Sequence, residues 1–456
     1  MCKSGHKVRA LVRTTEQAEK VTRLGCEAVL GDLLNPTSLE NACKGVDGVY
    51  HIAALFRQAG LPASQFAAVN VDGTKNILDA AIKCGVKRFI HCSTVGVHGH
   101  IASPPANEET PYNPGDAYQE SKCTAEKMVQ NYLDEGKISG LIIRPAMIYG
   151  PHDQRTLKLF KMLSMNRFFY VGQGNALVHF VDVRDLARAF MTAMDRSDIN
   201  AESFIIAGES SLRLNMLVSI ICNMMGVAEP FLHLPAKPIQ LLGSLCEIIC
   251  TPFKINPPIY RRRVDFFTKD RNFNCAKAAK MLSFRPRMSL TQELMDIIQS
   301  YINDNSIRSD SSKFPVVIDR DLNGKIKFWH DDTNNVYGWS KEQAVGHVSH
   351  SLFGTDFPDK LEVINTSLNL SQRWHGKLKH NTRYGKRIEV NSNWFLINST
   401  FSSAPYVLEL NRVAASSKFV NGISNKVAGA FNGAYTADVL CALESISPMG
   451  FARNIS

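Results

Sequence analysis

The 456-residue sequence predicts an α/β fold, in which helices cover both faces of a parallel sheet, followed by a smaller α+β region. Two observations lead to this prediction. Apolar, strand-like runs alternate with helical segments between residues 6 and 144, as is typical of a parallel sheet that is buried on both sides. Polar or small residues also follow several of these runs, at the carboxyl ends of the strands, where such sheets bind ligands.

The strand prediction rests on five short runs rich in β-branched and apolar residues, at 6–12, 26–30, 48–53, 87–92 and 140–144. Helices are predicted between them at 15–24, 37–43 and 66–84. Gly85 ends the last of these, because glycine readily adopts the left-handed conformation. A further helix begins near Asp116, after a loop rich in Pro, Glu and Asn.

The helix near Asp116 carries the first chemical motif. Tyr118 and Lys122 stand four residues apart, so both side chains point from one face. A nearby ammonium stabilises a phenolate and lowers the pKa of the tyrosine, which suits proton transfer during alcohol oxidation or carbonyl reduction. The same spacing also occurs on solvated helix faces, so the motif depends on the strand ends around it.

The composition is that of an ordinary globular protein, with 45% hydrophobic and 21% charged residues. The net charge of +10 suits anionic ligands, such as dinucleotides or nucleotide sugars, or an acidic membrane surface; the scattered Lys and Arg favour a diffuse bias. The 11 cysteines form no CxxC pair, which predicts reduced thiols in a cytoplasmic protein and no metal site. We predict no nucleic-acid partner.

Neither a signal peptide nor a transmembrane segment is predicted. The first six residues contain no apolar core of a signal peptide. The most apolar stretch, 238–253, is too short to span a bilayer and carries Glu247. It could lie on a membrane, cap a ligand cleft or form a buried core helix.

An ordered series of motifs indicates a family. The stretches are Gly31-Asp32-Leu33, His51-Ile52-Ala53-Ala54, Asn70-Val71-Asp72-Gly73-Thr74, Ser93-Thr94, Tyr118-x-x-x-Lys122 and Arg144-Pro145-Ala146-Met147-Ile148-Tyr149-Gly150-Pro151. With them, residues 6–302 resemble an extended short-chain dehydrogenase/reductase, of the NAD-dependent epimerase/dehydratase and 3β-hydroxysteroid dehydrogenase-like branch. The resemblance implies a Rossmann-like doubly wound parallel sheet, with the cofactor part at about 1–150 and the substrate lobe mostly at 151–302.

The resemblance also implies that NAD(P) binds across the strand ends. Asp32 and Leu33 would contact the adenine. Ala53 and Ala54 would line the nucleotide cleft, and Asn70 would lie close to it. Structural roles are the alternative: Asp32 could cap the next helix, and Asn70 could be a helix N-terminal residue.

For catalysis, the resemblance implies that Tyr118 is the general acid/base and that Lys122 holds the nicotinamide ribose and tunes Tyr118. Thr94, or the adjacent Ser93, would orient the substrate oxygen. Pro145 would lie near the nicotinamide. Ser93 and Thr94 could instead satisfy backbone groups at the strand end.

The family's first strand and its GxxGxxG turn have no counterpart, because residues 6–12 resemble the second strand. We therefore expect a truncated nucleotide-binding part, from a partial gene product, a misplaced start codon or a degenerate domain, in which two strands lack a neighbour. We expect poor dinucleotide binding, since these glycines let the backbone approach the pyrophosphate. Arg13, with Arg9 on the same strand, leans towards NADP, because arginine accommodates its 2′-phosphate.

The substrate lobe is rich in aromatic residues, which could close over a steroid- or isoprenoid-like substrate or simply form a core. They are Phe168, Phe169, Tyr170, Phe231, Phe253, Tyr260, Phe266 and Phe267. Arg261, Arg262 and Arg263 could bind a diphosphate, as in nucleotide-sugar enzymes, or form a solvated face. Phe56 stands where some sugar-nucleotide epimerases carry a lysine, which disfavours that subclass. The choice between a sugar and a sterol-like substrate stays open.

A second module is predicted after a polar, Ser/Asp-rich linker at 303–313. Strands at 314–319 and 326–330 flank a hairpin turn at Asn323-Gly324, and further strands follow at 374–380, 386–391, 394–397 and 406–410. Together with Tyr337-Gly338-Trp339-Ser340, Trp374-x-Gly376-x-Leu378 and Gly385-Lys386-Arg387, they resemble a PAS sensor domain at 314–412. The resemblance implies a small ligand or a PAS-mediated dimer. Residues 413–456 are predicted as a poorly ordered tail.

The predicted function is that of an NAD(P)-dependent oxidoreductase or epimerase that acts on a CH–OH group of a small-molecule substrate, fused to a PAS-like sensor. The alternative is a PAS-based signalling protein with a cofactor-deficient dehydrogenase scaffold. A third possibility is a gene fragment or fusion without an independent function.

Overall fold

The computed structural model describes residues 2–56, 61–250, 261–307, 314–330, 336–401 and 404–414. The chain divides into two compact units. The first contains Met1–Tyr149, His179–Glu209 and Asp270–Met288; the second contains Gly150–Val178, Ser210–Lys269 and Ser289–Ser456. The second unit therefore combines part of the predicted substrate lobe with the predicted PAS-like region, while the domain boundaries near 302 and 313 stay a prediction.

Strands and helices alternate through the first part of the chain. The strands are β1 (Arg9–Val12), β2 (Glu27–Leu30), β3 (Gly48–His51), β4 (Arg88–Cys92), β5 (Ser139–Pro145), β6 (Met147–Tyr149), β7 (Tyr170–Val171), β8 (Leu177–Asp182), β9 (Glu202–Ile206), β10 (Ser211–Arg213), β11 (His233–Leu234), β12 (Val316–Asp321), β13 (Ile326–His330), β14 (Arg373–Asn381), β15 (Arg387–Ile397) and β16 (Tyr406–Val413). The helices are α1 (Thr15–Arg23), α2 (Pro36–Cys43), α3 (Ala63–Ala67), α4 (Gly73–Lys83), α5 (Ala117–Asp134), α6 (Gln154–Ser164), α7 (Val183–Asp195), α8 (Leu214–Met225), α9 (Ala236–Cys250), α10 (Arg261–Thr268), α11 (Ala276–Met281), α12 (Leu290–Asn303), α13 (Lys341–Ala344), α14 (Ser349–Leu352) and α15 (Leu361–Ser371).

The first unit contains the predicted parallel sheet, in two parts. Strands β3, β4, β5 and β9 pair side by side in parallel, and β1 pairs in parallel with β2 in a separate two-stranded sheet. One apolar core serves both parts: Leu78 of α4 and Phe89 of β4 are fully buried in it, and Leu11 of β1 packs against it. The predicted Rossmann-like class of α/β fold is confirmed.

The long helix predicted at 66–84 is interrupted. Helices α3 and α4 are separated by a π-helical turn at Ala68–Asp72. Within this turn the Asn70 carbonyl accepts a bond from Thr74 Oγ1, and the Asn70 side chain bonds outside the helix. Tertiary hydrogen bonds therefore override the helical pattern here, as is common for π-turns at functional sites.

The second unit contains the remaining lobe helices and a small parallel pair, β7 with β11. Helix α8 is almost entirely buried and ends at Gly226, whose positive φ closes it. Tyr301 of α12 is fully buried, and its hydroxyl lies 2.9 Å from Thr156 Oγ1 of α6. Among the described helices, none combines the length and the hydrophobicity needed to cross a bilayer.

The C-terminal part of the second unit is an antiparallel sheet in the order β13-β12-β16-β15-β14. Helices α13, α14 and α15 all lie in the connection between β13 and β14, so the predicted α+β class is observed. The two strands predicted at 386–391 and 394–397 are one strand, β15, because it pairs without interruption along β14. The predicted hairpin is present, with Gly324 at φ +83° in its turn.

Within the second unit, polar bonds join this sheet to the lobe helices. Thr291 of α12 donates to Asp319 of β12 at 2.7 Å, and both side chains are buried. Arg373 of β14 donates two bonds to the carboxylate of Glu229, at 3.0 and 2.6 Å. The C-terminal sheet is therefore packed on the lobe rather than tethered only by the chain.

Candidate active site

Helix α5 places Tyr118 and Lys122. Asp116 caps the helix, since its side chain accepts a bond from the Gln119 N–H at 2.6 Å. Tyr118 lies one turn before Lys122, and they are 8% and 3% exposed. This burial is unlike the solvated helix face that was the alternative interpretation.

The Lys122 ammonium is held at the carboxyl end of β4. Its Nζ donates to the Cys92 carbonyl at 2.7 Å, next to Ser93 and Thr94. Burial lowers the pKa of Lys122 below its usual value, while Cys92 and Glu126 act to raise it. The structure therefore brings the predicted helix pair and the predicted strand end together.

Two phenylalanines flank Tyr118. The ring of Phe56 meets the Tyr118 ring edge-on, with centroids 5.1 Å apart, and the Phe66 centroid is 6.5 Å away. Apolar neighbours exclude water from a tyrosine, which strengthens electrostatic interactions with nearby charges. Phe56, which stands where some sugar-nucleotide epimerases carry a lysine, therefore packs against Tyr118.

Asn70 joins the loop after β3 to helix α5. Its amide oxygen accepts from the Leu55 N–H at 2.6 Å, and its amide nitrogen donates to the Leu55 carbonyl and to Ser121 Oγ. Ser121 in turn donates to the Tyr118 carbonyl at 2.8 Å. Asn70 thus positions the segment around Phe56 against the first turns of α5, and it is not the helix N-terminal residue of the alternative interpretation.

Ser93 belongs to a buried polar network centred on Glu126. The Glu126 carboxylate accepts bonds from the Ser93 and Tyr112 hydroxyls and from two nitrogens of Arg144. Arg144 also donates to the Glu108 carbonyl at 2.8 Å. The hydroxyl of Ser93 is therefore committed to Glu126.

Thr94 is differently placed. Its hydroxyl oxygen accepts a bond from the Gly96 N–H at 3.0 Å and caps the 3₁₀ helix Val95–His98. A hydroxyl that accepts one bond still has a proton to donate. Thr94 thus satisfies a strand-end backbone group, as the structural alternative predicted, and keeps a donor for another partner.

Two buried histidines lie beneath Lys122, on neighbouring strands. The ring centroids of His51 and His91 are 5.4 Å apart, and His51 Nε2 lies 2.8 Å from Thr74 Oγ1. Burial, and secondly the charge of Lys122, lowers the pKa of His51 to about 3 and that of His91 well below its usual value. Both imidazoles are neutral at pH 7, so the positive charge at this strand end comes from Lys122.

The other predicted cofactor residues lie at strand ends or just beyond them. Asp32 follows β2 and accepts a bond from the Leu34 N–H, whereas helix α2 is capped by Asn35. Asp32 is therefore not the cap of that helix. Ala53 and Ala54 follow β3 and are exposed, Leu33 packs against the core, and Pro145 is the buried last residue of β5.

Arg9 of β1 and Arg13, which follows the strand, differ in their surroundings. Arg9 donates to the carbonyls of Ala42 and Lys44 and pairs with Glu27, so it is committed to the end of α2. Arg13 is exposed just beyond the strand. Only Arg13 is therefore placed to meet a ligand at this edge.

The predicted substrate arginines begin helix α10, and their side chains lie outside the described residues. These are Arg261, Arg262 and Arg263. Of the aromatic lobe residues, Phe168, Phe169 and Phe267 are buried, whereas Phe231 is exposed. In the described ranges, no group of three His, Cys, Asp or Glu side chains is arranged to hold a metal ion.

Sequence reasoning missed Glu126 and its partners. Glu126 lies four residues after Lys122, so the spacing of Tyr118, Lys122 and Glu126 along one face of α5 could have indicated it. Arg144 directly precedes Pro145, but nothing in its neighbourhood shows that its partner lies 18 residues earlier. Only the packing of α5 on β5 brings the two together.

Comparison with known proteins agrees with this geometry. Residues 1–207 match the model of the NAD dependent epimerase/dehydratase family, and this part of the chain belongs to that family. In sequence, 220 residues are 30% identical to the N-acetyl-alpha-D-glucosaminyl-diphospho-ditrans,octacis-undecaprenol 4-epimerase of Escherichia coli O157:H7, covering 48% of this chain and 66% of that protein. A 296-residue alignment is 27% identical to 3beta-hydroxysteroid-dehydrogenase/decarboxylase isoform 1 of Arabidopsis thaliana, covering 60% of this chain and 66% of that protein.

The chain thus spans just under two thirds of the length of each of these two relatives. Among solved structures, the dTDP-glucose 4,6-dehydratase of Streptomyces venezuelae with NAD bound is similar, with a TM-score of 0.52 and 21% identity. The match covers 66% of this chain and 88% of that chain. At this identity the likeness shows the fold alone.

Proposed function

We propose that this protein is an NAD(P)-dependent oxidoreductase or epimerase-type enzyme that acts on a CH–OH group. The observation that supports the proposal is the bond from the buried Lys122 to the Cys92 carbonyl at the carboxyl end of β4, because Tyr118 lies one helical turn before Lys122 and Thr94 lies two residues after Cys92. Ligands bind at such strand ends in open parallel sheets. Similarity to a polyprenol-linked sugar epimerase and to a steroid dehydrogenase supports a sugar-nucleotide or steroid/isoprenoid-like substrate.

In this proposal Tyr118 takes the hydroxyl proton when the alcohol is oxidised and returns it on reduction. The Lys122 ammonium favours the phenolate, and it would also hold the nicotinamide ribose. Thr94 orients the substrate oxygen, since the Ser93 hydroxyl is committed to Glu126. NAD(P), when bound, supplies the hydride acceptor or donor.

The residues fit the ribose and nicotinamide side of the cofactor. Lys122 is a buried donor at the strand end, Pro145 ends the neighbouring strand, and Ala53 and Ala54 offer small side chains after β3. Asp32 would meet the adenine ribose or base. Exposed Arg13 is placed to meet a 2′-phosphate, which supports NADP as the preferred dinucleotide.

The test compares wild type with Tyr118→Phe. Fluorescence titration of NADPH and NADH measures the dinucleotide affinity, which Tyr118→Phe is expected to leave nearly unchanged. Turnover is then measured at millimolar cofactor, so that weak binding does not hide it. We expect Tyr118→Phe to abolish turnover, because the substitution removes the phenolic hydroxyl that gives and takes the proton. Retained turnover would remove Tyr118 from this role.

A second function is favoured by a buried polar cluster in the C-terminal sheet. Arg320 Nη2 and His380 Nε2 are buried without a hydrogen-bond partner among the described residues. Such atoms could bond a small polar ligand. We propose that residues 314–412 are a PAS-like ligand-binding module, or the interface of a dimer, and that it is the working part if the dehydrogenase scaffold proves inactive. Calorimetric titration with small metabolite mixtures, against Arg320→Met as the control, tests it.

A further inference from the structure

The second unit exposes an unusual number of apolar side chains over a short stretch of chain. Phe231 is 91% exposed, the neighbouring Leu232 is 44% exposed, and three leucines of helix α9 follow. Leu241, Leu242 and Leu245 are 63%, 52% and 46% exposed. Single exposed apolar residues need no explanation, but a group of this kind marks an interaction surface.

The three leucines share one side of α9. They stand at i, i+1 and i+4, while Ile239 and Gly243 on the opposite side are buried. The helix therefore buries Ile239 and Gly243 and exposes its three leucines. This arrangement is the reverse of the usual amphipathic helix of a globular protein.

The segment that leads into α9, residues 231–234, is held in place by hydrogen bonds and ring stacking. The Tyr170 N–H donates to the Leu232 carbonyl at 2.9 Å, and the Gly172 N–H donates to the Leu234 carbonyl at 2.8 Å. The His233 ring stacks on Tyr170 with centroids 4.7 Å apart. Strand β11 thus holds Phe231 and the start of α9 in place.

Charge around this stretch selects the partner. From residue 231 to residue 263 the sequence carries Lys237, Lys254 and the run Arg261–Arg263 against one acidic residue, Glu247. Lys237 is exposed at the start of α9. Apolar side chains flanked by basic ones are the combination that binds anionic lipid surfaces.

We propose that Phe231, Leu232 and the leucine side of α9 dock this protein on an anionic lipid bilayer. The helix would lie in the plane of the interface, with its leucines among the acyl chains and the exposed Lys237 at the headgroups. A second copy of the chain is the other candidate occupant, and the experiment below distinguishes the two. The proposal does not depend on the enzymatic function.

The test is flotation of the protein with vesicles of phosphatidylcholine alone or mixed with phosphatidylglycerol. We expect binding to the mixed vesicles that falls at high salt, because salt screens the basic residues. The double substitution Leu241→Gln with Leu245→Gln is expected to lower the partition coefficient about tenfold for each leucine. Both side chains are exposed, so the fold should survive, and circular dichroism checks this.

Leu370→Gln is the matched control, because Leu370 is an equally apolar, 83% exposed residue on α15. It should bind vesicles as wild type does. The proposal would be overturned if the double variant floated with the vesicles as well as the wild type does. It would also be overturned if the wild type did not bind anionic vesicles. A lipid-free dimer that the double variant converts to a monomer, seen by light scattering, would assign the surface to a second copy instead. None of these readouts uses turnover, so they are independent of the Tyr118→Phe result.

Discussion

Among the residues that the structure describes, a buried arginine–glutamate pair lies in each unit, and the two pairs are satisfied to different degrees. In the first unit, Arg144 and Glu126 are buried beneath the candidate site, and every nitrogen of the Arg144 guanidinium donates a bond. Glu126 also accepts from Ser93 and Tyr112. Because all its polar groups are bonded, this network keeps its side chains in place. It can therefore support the end of β4, next to Thr94.

In the C-terminal sheet, Arg320 and Glu409 are equally buried, and Arg320 Nε donates to Glu409 at 2.8 Å. Arg320 Nη2 has no partner among the described residues, and the guanidinium instead lies 4.2 Å above the Trp394 ring. Glu409 accepts one further bond, from Asn411. The comparison teaches that two equally buried ion pairs can differ in how fully their donors are satisfied: every Arg144 guanidinium nitrogen is bonded, whereas Arg320 Nη2 has no partner among the described residues.

The largest expected effect is that of Glu126→Gln. It leaves the buried Arg144 charge without its carboxylate, at a cost of about 3–5 kcal/mol in the free energy of unfolding. Urea denaturation followed by far-ultraviolet circular dichroism measures this cost. Glu389→Gln, which breaks an exposed pair with Lys377, is the control and should cost less than about 1 kcal/mol. A similar small loss for Glu126→Gln would mean that the first network is no firmer than a surface pair.

A smaller effect is expected for Glu409→Gln, about 2–3 kcal/mol, because Glu409 accepts fewer bonds than Glu126. Tryptophan fluorescence reports on the C-terminal part alone, because all four tryptophans lie there. Trp329, Trp374 and Trp394 are in strands, and Trp339 is in the segment just before α13. The measurement is the urea midpoint of the fluorescence transition. A loss larger than that of Glu126→Gln would reverse the ranking of the two networks.

The third prediction concerns pH. Burial lowers the pKa of His350 and of His380 to about 4, against the opposing influence of Glu409. The unfolded chain binds these protons near pH 6.5, whereas the folded chain binds them near pH 4. The contribution of the two histidines to the free energy of unfolding is therefore fully present above pH 6.5 and is lost as the pH falls towards 4. Each histidine contributes a slope of up to about 1.4 kcal/mol per pH unit in this window.

The variant His380→Gln isolates one of these two contributions. Between pH 6.5 and 4, the free energy of unfolding measured by tryptophan fluorescence should fall less steeply in this variant than in wild type. This expectation holds whatever the effect of the substitution on stability at neutral pH. The exposed His375→Gln serves as the control and should leave the slope as it is in wild type. An unchanged slope in His380→Gln would show that this histidine titrates alike in the folded and unfolded chain.

Much of the candidate site could be predicted from local sequence. The i, i+4 spacing of Tyr118 and Lys122 and the residues after each apolar run indicated the strand-end site, because parallel strands present their carboxyl ends on one edge. The break of the predicted helix at 66–84 could not be foreseen, since it depends on bonds from Asn70 to Leu55 and Ser121. The joining of two predicted strands into β15 likewise depends on continuous pairing with β14.

The sequence alone determined the α/β class and the helix pair Tyr118–Lys122, because these follow from periodicity and short spacing. Its ordered motifs, by resemblance, indicated the family whose model residues 1–207 match. The tertiary structure decided which hydroxyl is spare at the end of β4, because Glu126 reaches Ser93 from 33 residues away. It also decided that α9 exposes Leu241, Leu242 and Leu245 instead of burying them in a core. Both outcomes depend on which surfaces meet in three dimensions, and periodicity along the chain does not encode that.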